Sequence, residues 1–183
     1  NETLLLNIAE NTSDEVRATE VYVKNKTTSL QDTLSIKQHR KSTNFIRVNQ
    51  MGTLGTILNQ TQKDTITRMI VKGEINAADF EVMKLQMPNL RYLDLEEVKC
   101  EKDEIPRSAM GDQFNNRDAH KNITTIILPT NIKRIEYRAF DSCNGLTGYL
   151  KLPEYVTFIG TDAFADCNFT GSLDLPDKLK IIE

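Results

Sequence analysis

The end of this chain says nearly the same thing twice and then begins a third time. A unit opening at Leu128-Pro129 starts again at Leu152-Pro153 and once more at Leu175-Pro176, steps of 24 and 23 residues. Ile135, Ile159 and Ile182 keep the same step, as do Ala139-Phe140 with Ala163-Phe164 and Cys143 with Cys167. A shared period in this range marks a solenoid, in which each unit buries its apolar face against its neighbours. Few other features restrict a fold so far.

Each unit holds two short extended pieces and one compact turn. Leu150-Lys151-Leu152 alternates apolar, polar, apolar, which puts both leucines on one face of a strand. Pro153 follows, where the missing N–H costs a ladder little. Val156 and Ile159, like Ile132 and Ile135, begin the return along the opposite wall. Ala139-Phe140 and Ala163-Phe164 fit a helical or 3₁₀ turn, so Phe140 and Phe164 are expected in the core. Thr147-Gly148 and Thr170-Gly171 read as the corner into the next strand, with glycine allowing a positive φ. Cys143 and Cys167 should stack one coil apart as buried, reduced thiols. A bridge between them would have to meet a narrow Cα separation. Cys100 lies in a charged stretch and is the thiol expected at the surface.

The pattern running from Leu152-Pro153 through Val156, Ile159, Ala163-Phe164 and Cys167 to Thr170-Gly171 resembles the BspA-like leucine-rich repeats of bacterial surface proteins. The resemblance covers about the last third of the chain unit by unit. It implies a secreted or cell-surface protein of a host-associated anaerobe, lipid-anchored in some precursors, and in some members an adhesin.

Upstream, Leu54, Ile57 and Leu58 share one helix face. Ile66, Met69 and Val71 read as a strand ending at Lys72-Gly73. Asn76 with Asp79 three residues on is an N-cap signal for a helix to about Met87, with Phe80, Met83 and Met87 inward and Pro88-Asn89 as its stop. Leu90, Leu93 and Leu95 carry the leucine-rich strand signature. Met69/Val71, Leu93/Leu95, Ile126/Leu128, Leu150/Leu152 and Leu173/Leu175 are then spaced by 24, 33, 24 and 23 residues. The spacing predicts one solenoid with five parallel strands, residues 52–95 forming its N-terminal cap and first unit. The long step carries an insertion: a degenerate Ala-Phe turn at Ala109-Met110, then a polar loop over 111–122. Without a capping unit after Ile182, the chain reads as cut from a longer one.

Residues 4–40 read as short strands, with alternation at Leu4, Leu6 and Ile8, at Val21 and Val23, and at Leu34 and Ile36. The run Asn11-Thr12-Ser13, Arg17-Ala18-Thr19, Val21, Val23, Leu34, Ile36 and Gln38 resembles the C-terminal half of a BACON domain. That implies part of an immunoglobulin-like β-sandwich, whose remaining strands would precede Asn1. His39 to Asn44 hold no apolar residue and read as a linker, with Phe45 to Val48 as a last strand or an anchor. The fold class is thus α+β, a leucine-rich-repeat solenoid with short parallel strands preceded by a partial sandwich. The domains are 1–44, with the linker, and 45–183.

A net charge of −3 over 183 residues offers no electrostatic footprint for nucleic acid, and no apolar run approaches the ~18 residues of a membrane span. The chemistry of a catalyst is missing from the motifs. Cys100 and His120 share no local nucleophile–base pattern, and His39 sits in the basic linker. Cysteine and histidine ligands stand too far apart for zinc, and the acidic run from Glu96 to Glu104 lacks the spacing of a calcium loop. No metal, cofactor or enzymatic role is expected. The six Asn-x-Ser/Thr sequons, among them Asn122 and Asn168, read as polar turns.

Binding is the role a curved solenoid surface offers. The central residue of each strand should point outward, giving the column Ile70, Asp94, Ile127, Lys151 and Asp174, flanked by Arg68, Tyr92, Thr125, Tyr149 and Ser172. The expected contact residues are Tyr92, Asp94, Ile127, Tyr149, Lys151 and Asp174, with tyrosine favoured at recognition sites. The expected partner is a host extracellular protein or glycan. The competing reading is a spacer that projects another domain from the bacterial surface.

Overall fold

The structure is a computed structural model, describing the backbone of residues 17–24 and 31–38, together with residues 42–112 and 120–183. Two compact units divide between Thr43 and Asn44. In the first, β1 (Arg17–Lys24) and β2 (Gln31–Gln38) pair antiparallel, Arg17 opposite Gln38 and Lys24 opposite Gln31. These are the extended segments expected around Val21 and Leu34. The strand expected at Leu4 to Ile8 and the turns at Asn11 and Asn25 lie outside the described residues. An immunoglobulin-like sandwich is not shown.

The second unit is an α+β repeat built on parallel pairing. β3 (Asn44–Val48) is its first strand, and α1 (Leu54–Ile57), α2 (Gln60–Thr65), β4 (Arg68–Ile75) and α3 (Ala77–Gln86) follow. β5 (Tyr92–Asp94), β6 (Val98–Cys100), β7 (Glu104–Ile105) and β8 (Thr125–Ile127) come next. One sheet runs β3-β4-β5-β8, with β6 continuing beside the second half of β4. Met69, Leu93 and Ile126 fall in one register, as the repeat spacing requires. β4 does not end at Gly73. Gly73 takes φ +101 against Val48, whose carbonyl leaves no room for a side chain, so the strand bends there and continues to Ile75. Ile66 caps α2 and is not part of the strand.

The helices follow their caps. Asn76 accepts from the Ala78 amide at 3.0 Å, and Asp79 closes the capping box by accepting from the Asn76 amide at 3.0 Å. Asp79 is fully buried, yet it also accepts from Gly52 at 2.6 Å and Leu54 at 2.9 Å. One carboxylate therefore caps α3 and anchors the turn before α1. Phe80, Met83 and Met87 face the core. Leu54 and Leu58 do too, but Ile57 is exposed, because the helix stops at Leu58's extended backbone.

The opposite wall is a second parallel sheet of β7, β9 (Arg134–Ile135), β11 (Phe158–Ile159) and β13 (Ile181–Ile182). Ile105, Ile135, Ile159 and Ile182 align across it. Between the walls the Ala-Phe turns stack as a hydrogen-bonded ladder. Met110 N–H donates to Ala139 O at 2.8 Å and Phe140 N–H to Ala163 O at 2.8 Å. Ser108, Arg138 and Asp162, at one repeat position, all take φ between +50 and +57. The degenerate turn at Ala109-Met110 is therefore a full member of the stack. Phe140 is fully buried, whereas Phe164 is only half-buried against it.

Three expectations need correction. The first sheet stops at β8: among the described residues no ladder joins 150–152 to 125–127 or to 173–175. Instead β10 (Thr147–Gly148) pairs with β12 (Asn168–Phe169), two residues short of the equivalent Thr170-Gly171. Leu150 and Leu152 stay buried, but Leu173 and Leu175 are about half exposed on the last coil. Cys100 is buried, because the alternation of β6 turns Val98 and Cys100 inward and Lys99 out. His120 is buried as well, donating through Nε2–H to the Met87 carbonyl at 2.9 Å. The same carbonyl, just past the end of α3, also accepts from the Leu90 amide at 3.0 Å, so His120 is its second donor.

Equivalent positions in successive coils also stack cations on rings. Arg68 lies 4.0 Å from the Tyr92 ring centre, Arg107 4.5 Å from Tyr137, Arg134 3.8 Å from Phe158, and Lys178 3.8 Å from Tyr155. Each contributes about 0.5–1 kcal/mol where exposed, so together they are comparable to one buried side chain.

Candidate binding groove

The predicted columns exist as register over their first three members only, and not as one open surface. Arg68, Tyr92 and Thr125 align, as do Ile70, Asp94 and Ile127. Tyr92 is nevertheless only 8% exposed and Asp94 7%, and Ile70 is buried beside them. The Arg68 guanidinium covers the Tyr92 ring, and Asp94 accepts from the Glu96 amide at 2.9 Å. Burial first, and then the Asp94 carboxylate, raise the Tyr92 phenol above its ordinary range. Ile127 is half-buried. These three do not form an open contact face.

The last two coils differ. Tyr149, Lys151 and Asp174 are exposed and line one groove of about 450 Å³. Leu152-Pro153 and Leu175-Pro176, the repeated corners, lie along it. Tyr149 donates its hydroxyl to Asp174 Oδ2 at 2.6 Å, and this bond is the main reason its phenol is held above the usual range. The bond joins two coils and fixes the end of an otherwise exposed ring.

Tyr155, which the column argument passed over, lines the same groove and is 48% exposed. It occupies the repeat position of Asn131 and Lys178, three residues after each Leu-Pro leucine. Lys178 therefore sits over its ring from the next coil and pairs with Glu154 at 3.5 Å. The signal was in the repeat: an aromatic at a turn position that elsewhere holds polar residues.

Elsewhere the reactive side chains serve packing. Cys143 donates Sγ–H to Met110 O at 3.3 Å, and Cys167 to Phe140 O at 3.2 Å, each reaching one coil back. Burial pushes the Cys100 and Cys167 thiols up to about 12 and raises Cys143 too. Such thiols are poor nucleophiles near neutral pH. The sequon residues Asn122 and Asn168 donate to the Pro88 and Asn144 carbonyls at 2.7 Å. Among the described residues no cluster of His, Cys, Asp and Glu could hold a metal ion. No described helix is long and apolar enough to cross a membrane.

No curated protein matches the chain. Residues 114–183, which contain the groove, match the family described as a BspA type leucine rich repeat region (6 copies).

Proposed function

We propose that this chain is a non-enzymatic interaction protein of the bacterial surface or its surroundings, which contacts a host extracellular protein or glycan through the groove of its last two coils. The observation that carries this reading is the convergence of Tyr149, Tyr155, Lys151 and Asp174 on one groove within the segment similar to BspA type repeats. Exposed tyrosines held by neighbours supply contact area at small entropic cost. The contact residues are therefore Tyr149, Lys151, Asp174 and Tyr155, with Tyr92 and Asp94 serving the coil stack. Residues 1–44, in this reading, hold part of a BACON-like sandwich and a linker.

The test is retention on immobilised matrix proteins and mucins, comparing the full chain with Tyr149→Ala. Loss of retention in the variant supports the groove. Retention unchanged by the substitution moves the contact elsewhere, and no retention of the wild type favours the spacer.

A further inference from the structure

The groove has a composition that narrows its ligand. Its floor carries Pro153 and Pro176, which have no N–H to offer, so an extended peptide adding as a strand meets an interruption in each coil. Around it Lys151 and Lys178 stand against Glu154 and Asp174, two charges of each sign. A strongly anionic ligand would meet the carboxylates, and a cationic one the lysines. What fits is an uncharged ligand with an apolar face and many hydroxyls.

We propose that the groove binds a neutral oligosaccharide, with sugar rings against Tyr149 and Tyr155 of one coil; this rests on the groove being the contact surface. The tyrosine rings and the Leu-Pro floor offer an apolar surface to the C–H face of a pyranose. Asp174 spends one carboxylate oxygen on Tyr149 and Glu154 one on Lys178; their other oxygens supply acceptors, and the Lys151 ammonium donors, for sugar hydroxyls. Because Tyr149 is already tied to Asp174, little ordering cost remains for the ligand to meet.

The experiment applies the full chain to an array of neutral, sialylated and sulfated oligosaccharides, then titrates the neutral ones it retains. The chain has no tryptophan and five tyrosines, so tyrosine fluorescence reports binding directly. Neutral sugars should bind, and Tyr149→Ala and Tyr155→Ala should each weaken binding about tenfold, as truncating a contact aromatic does. Both residues are exposed, so circular dichroism should stay unchanged, and the melting temperature should fall only slightly, by the one inter-coil contact that each variant gives up. Retention confined to anionic sugars, or neutral binding indifferent to both substitutions, overturns the proposal. If Tyr149-dependent retention on a matrix protein is found with no sugar bound, the sugar assignment fails and the groove stands. If neither is found, both fail.

Discussion

Tyr149 donates its hydroxyl to Asp174 Oδ2 at 2.6 Å across two coils that share no backbone ladder at that point. Side chains there provide the coil-to-coil link that the sheet does not. Removing the acceptor charge should release the phenol. In Asp174→Asn the Tyr149 pKa should fall toward 10, read by NMR of ring-labelled tyrosine across an alkaline titration. A phenol whose titration does not change in the variant would mean that the bond is not populated.

The two repeated phenylalanines should not be equivalent. Their rings stack 5.3 Å apart at 10°, but only Phe140 is fully buried. Phe140→Ala should cost about 3–5 kcal/mol. Phe164→Ala should cost distinctly less, since part of its surface is already in water. Urea unfolding with an unchanged slope measures both. Equal losses would mean that the last coil packs more tightly than described.

All three cysteines should resist labelling in the folded chain at pH 7 and react together once guanidinium unfolds it. Cys167, the one thiol not fully buried, should be the first to react under mild conditions. Fast reaction of Cys100 would contradict the inward turn of β6.

His120 should make the chain acid-sensitive. Its Nε2–H is committed to Met87 O, and Nδ1 is buried without a partner, so a second proton would place an unsatisfied charge in the core. Burial is the leading cause holding its pKa below 6.5 in the folded state. The unfolded chain therefore binds the proton more readily, and stability present above about 6.5 is lost as pH falls toward the folded value. Asp141 and Glu104, raised chiefly by burial, act with the opposite sign at lower pH. Between pH 7.5 and 5.5 the melting temperature of the wild type should fall more than that of His120→Leu. Parallel curves would remove His120 as the cause.

The repeat was legible because its periodic residues are apolar and stack on their own kind. Ile105, Ile135, Ile159 and Ile182 share a register, and the step between them can be read directly from the chain. The cap on α3 was equally local, since Asn76 and Asp79 act across three residues. Periodicity also named Tyr149, Lys151 and Asp174 as one neighbourhood. What it could not foresee depends on contacts outside the period. Whether Tyr92 faces water is decided by an arginine from the previous coil, and whether His120 does is decided by a carbonyl at Met87. β12 pairs two residues short of its repeat position and the first sheet ends at β8, although the leucines continue on schedule. Sequence therefore determined which residues line up, because stacking repeats one offset. Tertiary structure alone decided which of them are covered, because coverage comes from neighbours that the repeat does not specify.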